Sequence, residues 1–298
     1  MTVLVAHDGS RFGAELAEMG GVLAEAAGWP LRILHVREPR AREPGSRAAG
    51  QGKPPRRMPP HAELLDGDPV ETLVAYVARI PVTVVALGLR SDMRTGLGHV
   101  AARLLGRLPA SLLVARPGMQ PLRALRHVLM PLDGRPSTAL TPRHVADLLP
   151  NAHPDVLGLH ITDGHVTAET GRMTAPRMVD QWHYDWPAWR HEFKRRMASG
   201  YVANDDCALC VLVGDPGKMV ALEARRRRVD LIVATWNRSL QPGRATCLRH
   251  LLESSPCPLL LVDKARLRKQ WHPLSAGEAG TTARLGAASG PAVHPRVA

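Results

Sequence analysis

Two aspartates, each followed by glycine, are the first residues in this chain whose type and setting could do chemistry. Asp8 closes Val3-Leu-Val-Ala-His-Asp, and Asp133 closes Val128-Leu-Met-Pro-Leu-Asp. An Asp-Gly pair at the end of an apolar run is ordinary turn chemistry. It also sets a carboxylate at the carboxyl edge of a strand, where open parallel sheets take their ligands. A second candidate is the segment Gly88-Leu-Arg-Ser-Asp-Met-Arg-Thr-Gly96-Leu-Gly98-His99. Its glycines let backbone N–H groups approach an anion, and a helix start behind it adds a positive dipole end, so it suits phosphate. His99 has two readings, a protonated phosphate contact or a solvated helix cap. The third candidate, Cys207-x-x-Cys210, has metal-ligand spacing. It falls inside the apolar run Cys207 to Val213, however, where positions three apart on a strand point to opposite faces, so free structural thiols are expected.

These groups are positioned by elements that the chain spells out twice. Ile33-Leu-His-Val36 returns as Gly158-Leu-His-Ile161 at the offset of 125 that also relates Asp8 to Asp133. Gly67-Asp-Pro69, Val82 to Ala86 and Pro109 to Val114 return as Gly214-Asp-Pro216, Val229 to Val233 and Pro256 to Leu261 at an offset of 147. The step between offsets means that the second copy carries 22 extra residues between Ile161 and Gly214. In copy one, strands are predicted at Val3–Ala6, Leu31–Val36, Ala62–Leu65, Val82–Leu87 and Ser111–Ala115, with helices at Ser10–Ala27, Val70–Ala78 and His99–Leu108. Gly28 stands where a helix C-cap belongs. Copy two repeats the order, with strands from Val128, Val156, Cys207, Leu231 and Leu259 and helices near Arg143, Lys218 and Thr246. Alternation of this kind predicts an α/β fold, two tandem doubly wound parallel-sheet (Rossmann-like, five-stranded) domains. On this reading Val36 and Ile161 end the second strand of each domain beside Asp8 and Asp133.

Composition limits the function classes. The net charge of +12 invites a nucleic-acid reading. Ten of those charges, however, lie in residues 37–60 and 264–298, two Pro/Gly/Ala/Ser-rich segments expected to be disordered. The folded bodies are then close to neutral, and nucleic acid is not expected as a partner. No apolar run approaches the roughly 20 residues that span a bilayer, so a cytoplasmic protein without a membrane partner is expected. The extra segment of copy two, about 176–201, gathers Trp182, Tyr184, Trp186, Trp189 and Phe193 in a chain that is only 4% aromatic. It is expected to be an amphipathic helix lying over its own domain or a partner subunit.

The first-strand Asp, the glycine loop after the fourth strand and the final Pro256-Cys-Pro-Leu-Leu-Leu-Val262 together resemble the universal stress protein family in its tandem form. The resemblance covers residues 2 to about 118 and 126 to about 263, and places domains at 1–118 and 124–264 with a tail at 265–298. Nucleotide-binding members carry Gly-x2-Gly-x9-Gly-(Ser/Thr) after the fourth strand. The resemblance implies adenine near Asp8 and Val36 and phosphates near Gly88, Gly98 and His99. Position 85 is Val rather than Gly, and His99 stands where Ser/Thr is expected. In copy two it implies Asp133, Ile161, Gly243 and Thr246, but Thr235 and Ala245 replace the glycines aligned with Gly88 and Gly98.

Residues and resemblance together lead to the expectation of a non-enzymatic stress-response protein. Its candidate ligand is ATP, held mainly by domain 1 without a metal, and its two domains form an intramolecular pseudo-dimer that could pair again as a homodimer. The alternatives are a nucleotide-free adaptor and a slow ATPase. The sequence lacks a Walker Gly-Lys-(Ser/Thr) and a paired acidic metal site, which leaves little to activate water.

Overall fold

The structure, a computed structural model, describes residues 1–38, 58–89, 99–133, 141–162, 207–240 and 245–263. The aromatic segment 176–201, most of the two basic segments, Gly98 and Gly243 lie outside the described residues.

The first half runs β1 (Val3–Ala6), α1 (Arg11–Ala27), β2 (Leu31–Arg37), β3 (Glu63–Asp66), α2 (Pro69–Arg79), β4 (Val84–Gly88), α3 (His99–Leu105) and β5 (Ser111–Ala115). The second half runs β6 (His127–Leu132), α4 (Thr141–Leu148), β7 (Asp155–Thr162), β8 (Cys207–Val213), α5 (Pro216–Arg226), β9 (Leu231–Trp236), α6 (Thr246–Ser254) and β10 (Leu259–Asp263). All ten strands join one sheet in the order β3-β2-β1-β4-β5-β10-β9-β6-β7-β8. Every pairing is parallel except β5 with β10, so each half is the expected doubly wound unit and the two meet edge to edge.

Local chemistry explains the boundaries. Ser10 caps α1 by accepting the Gly13 N–H, and Gly28 ends it with φ 65°, the left-handed conformation that favours glycine. The repeated Gly-Asp-Pro starts a helix in both halves. Asp68 accepts the N–H groups of Val70 and Glu71, Asp215 accepts that of Lys218, and a proline follows each where its missing N–H costs nothing. Helix α3 stops at Leu105, three residues short of the expected Leu108, because Gly106 and Arg107 form a turn in which Arg107 N–H bonds back to Leu104.

Alternate residues of the central strands feed two cores. One face of the sheet packs against α2, α3, α5 and α6, with Leu4, Val85, Leu112, Val114, Leu259 and Leu261 in that layer. The other packs against α1 and α4, with Val3, Val5, Val84, Leu113 and Leu260. At the seam Leu113 pairs with Leu260, and Leu112 and Val114 pair with Leu261 and Leu259. Leu113 and Leu260 are each other's equivalents at offset 147, so a pseudo-two-fold axis passes through this pair. It passes again where Asn151 N–H donates to the carbonyl of Ala26, its equivalent at offset 125. The intramolecular pseudo-dimer is therefore built into the register. Among the described residues no helix is long and apolar enough to cross a membrane.

Candidate functional site

Because β5 and β10 run antiparallel, the carboxyl edges of the two halves lie at opposite edges of the sheet. In the first half this edge is formed by the segment after β1, the end of β2 and the end of β4. Asp8 is exposed there, and its Oδ1 accepts the Ser10 N–H at 2.9 Å and the Ser10 hydroxyl at 2.5 Å. The turn role and the edge position thus belong to the same residue. Val36, half-buried, sits two positions beyond Leu34, whose carbonyl accepts the His7 N–H.

Sequence reasoning passed over the histidines at this edge. His7 is 3% exposed, and its Nδ1 accepts the Gly9 N–H at 2.8 Å. In the neutral ring the proton is therefore on Nε2. That atom is buried and has no partner among the described residues. The His35 ring meets the His7 ring edge-on, with centroids 6.3 Å apart, and donates from Nδ1 to the His7 carbonyl at 2.7 Å. A carbonyl can only accept, which fixes the His35 tautomer. Burial pushes the His7 pKa below its ordinary value of 6.5; the Asp8 charge opposes this and His35 adds to it. The second half repeats the strut, with His160 Nδ1 donating to the Leu132 carbonyl at 2.9 Å. Recurrence of His35 as His160 was the signal available in the sequence. His7 had none, since Leu132 stands at its equivalent position.

Two glycines shape the edge. A Cβ on Gly13 would lie 2.6 Å from Asp8 Oδ1 and 3.2 Å from His7 Nε2, so only glycine lets the first turn of α1 rest on this pair. A Cβ on Gly88 would meet the Phe12 ring at 3.1 Å, a tight approach that gives this glycine a packing role against α1. His99 begins α3.

The second half is arranged differently. Asp133 is exposed after β6, Ile161 is half-buried near the end of β7, and Thr246 is exposed at the first position of α6. Ala245 precedes that helix without a side-chain cap. Beyond β9, Arg238 pairs with Asp263, which ends β10 at 2% exposure. The two residues are 25 apart in sequence and come together only because β9 and β10 pair. Among the described residues no three His, Cys, Asp or Glu side chains are grouped to hold a metal ion.

Residues 1–116 match the model of the universal stress protein family. A universal stress protein from Archaeoglobus fulgidus is similar in structure with a TM-score of 0.57 at 12% identity, covering 88% of this chain and 96% of that one. A Pseudomonas aeruginosa protein assigned to the same family gives 0.52 at 14% identity, covering 90% and 96%. At such identity the likeness is one of fold, and it spans both halves. No curated protein matches the chain in sequence.

Proposed function

We propose that this chain, whose residues 1–116 match the model of the universal stress protein family, binds an adenine nucleotide in its first half as a regulatory ligand, without turning it over. The observation that carries the proposal is the buried His7 Nε2–H. Among the described residues it is a donor without a partner, set beside Asp8 at the edge where open α/β sheets take ligands. The second half serves to complete the sheet. A stress-response role in the cytoplasm is part of the same proposal, and the absence of a Walker lysine from the sequence supports a non-catalytic one.

Titrating ATP into the wild-type protein and into Asp8→Ala by calorimetry tests the reading. We expect saturable heat below millimolar ATP with the wild type and a marked loss with Asp8→Ala. Mass spectrometry of gently purified protein is expected to find retained nucleotide. Phosphate release abolished by Gly98→Val would replace the proposal with a slow ATPase. The packing of Phe12 against Gly88 favours a second reading, since it explains that glycine without any phosphate. If no heat is seen, the chain is a nucleotide-free adaptor.

A further inference from the structure

Helix α5 breaks two local rules with cations. Asp215 caps it, and Lys218 stands in its first turn, where the macrodipole favours an acid and where α2 carries Glu71. At the other end Arg228 takes φ 52°, the left-handed conformation that favours glycine. The backbone there is already closed, since the N–H groups of Arg227, Arg228 and Val229 return to the carbonyls of Glu223, Arg225 and Ala224. Helix capping therefore accounts for neither side chain. Between them Leu222 is 55% exposed, although Val220, Ala221 and Ala224 of the same helix are buried.

The first half shows what the same face looks like when its charges are compensated. There Glu71 holds both Arg103 and Arg107, and Asp68 also meets Arg103, so α2 and α3 neutralise each other. At offset 147 the second half puts Lys218 in place of Glu71 and His250 and Ser254 in place of the two arginines. It adds Arg225 and Arg249 where the first half has Ala78 and Ala102. Paired charge has been exchanged for unpaired charge. Lys218, Arg225, Arg228 and Arg249 are exposed and make no ion pair among the described residues, whereas Arg226 and Arg227 share the buried Glu223. Lys218, Leu222, Arg225 and Arg226 follow at i, i+4, i+7 and i+8, one stripe about 12 Å long on the outward side of α5. We infer that this stripe docks an acidic peptide segment of a partner protein, its carboxylates against Lys218 and the arginines and one apolar side chain on Leu222. Charge complementarity selects the acid, and the exposed leucine selects a peptide. A nucleic-acid backbone leaves Leu222 unused, and the stripe carries no aromatic ring to stack a base. A lipid surface asks for a broader apolar face than one leucine.

Nucleotide binding plays no part in this surface, so its failure leaves the docking face untouched. The probe is a fluorescent helical peptide with glutamates on either side of one leucine along one face, titrated with the full chain and followed by anisotropy. Wild type is expected to bind it saturably and more weakly as salt is raised. The double variant Lys218→Ala/Arg225→Ala is expected to bind about tenfold more weakly, the scale of two exposed ion pairs. Arg79→Ala, the first-half equivalent of Arg226, is expected to change nothing. Failure of the wild type to bind the probe, or equal binding by the double variant, overturns the docking face. A probe with alanine for its leucine that binds equally well overturns the peptide assignment. So does a single-stranded oligonucleotide, or a phosphatidylserine vesicle, that binds more tightly than the probe and is released by the same two substitutions. Lys218→Ala and Arg228→Gly are each expected to leave the thermal midpoint unchanged or raised, because each removes a local conflict. A lowered midpoint in both would assign these cations to stability and overturn their role in docking.

Discussion

His7 couples the edge to pH. The unfolded chain takes up a proton near 6.5, whereas the buried ring in the folded protein resists protonation until lower pH. In the window below 6.5 the unfolded state therefore binds more protons, and stability falls as pH is lowered through it. Each unit of lowering contributes about 1.4 kcal/mol. His7→Leu, the residue that the second half carries as Leu132, is expected to remove this acid slope from thermal unfolding between pH 7 and 5. An unchanged slope would assign it to another group. Gly13 makes a steric prediction. Alanine in a helix gains up to about 1 kcal/mol over glycine, but its Cβ would overlap Asp8 Oδ1 at 2.6 Å, and overpacking of this kind costs about 1–3 kcal/mol. The overlap wins: Gly13→Ala is expected to lower the urea midpoint and to weaken ATP by displacing Asp8.

The elements of this chain were legible where a turn or cap signal coincided with an apolar run. β1 ends at Ala6, two residues before Asp8-Gly9, α1 ends before Gly28, and the repeated Gly-Asp-Pro opens α2 and α5. Periodicity overran α3 because Leu108 keeps the helical spacing after the backbone has turned at Gly106. The site was only half legible. Asp8 and Asp133 recur, so their edge position could be read from the repeat. The His7 tautomer depends on which nitrogen meets Gly9 N–H, and the Arg238–Asp263 pair on strand pairing, neither of which spacing encodes. At the seam, Leu113 and Leu260 are fully buried and paired. A carboxylate in place of Leu113 would be buried between the halves, a change that costs about 3 kcal/mol or more. Leu113→Asp is expected to lower the unfolding free energy by that amount, read as a lower denaturation midpoint, and to expose apolar surface to dye; a midpoint within error of wild type would remove the seam from the account of stability.

At the scale of the whole molecule, the pseudo-two-fold makes the halves equal in fold while their ligand edges are unequal. The first edge carries Asp8, a His7 donor unpartnered among the described residues, and Arg116 at the end of β5. On the second edge Thr235 replaces the glycine of the first, and Asp263 holds a buried carboxylate against Arg238. That carboxylate neutralises Arg238 at the end of β9 and repels a phosphate that approaches it. On this reading the chain takes one nucleotide, not two, and ATP titration is expected to give a stoichiometry near one per chain. Asp263→Ala removes the negative charge and releases Arg238 at the end of β9. A second, weaker binding event is then expected in the same titration, at a cost in stability because the partner of a buried pair is lost. Two equal sites in the wild-type protein would contradict the asymmetry, and a single site in Asp263→Ala would show that Asp263 is not what closes the second edge.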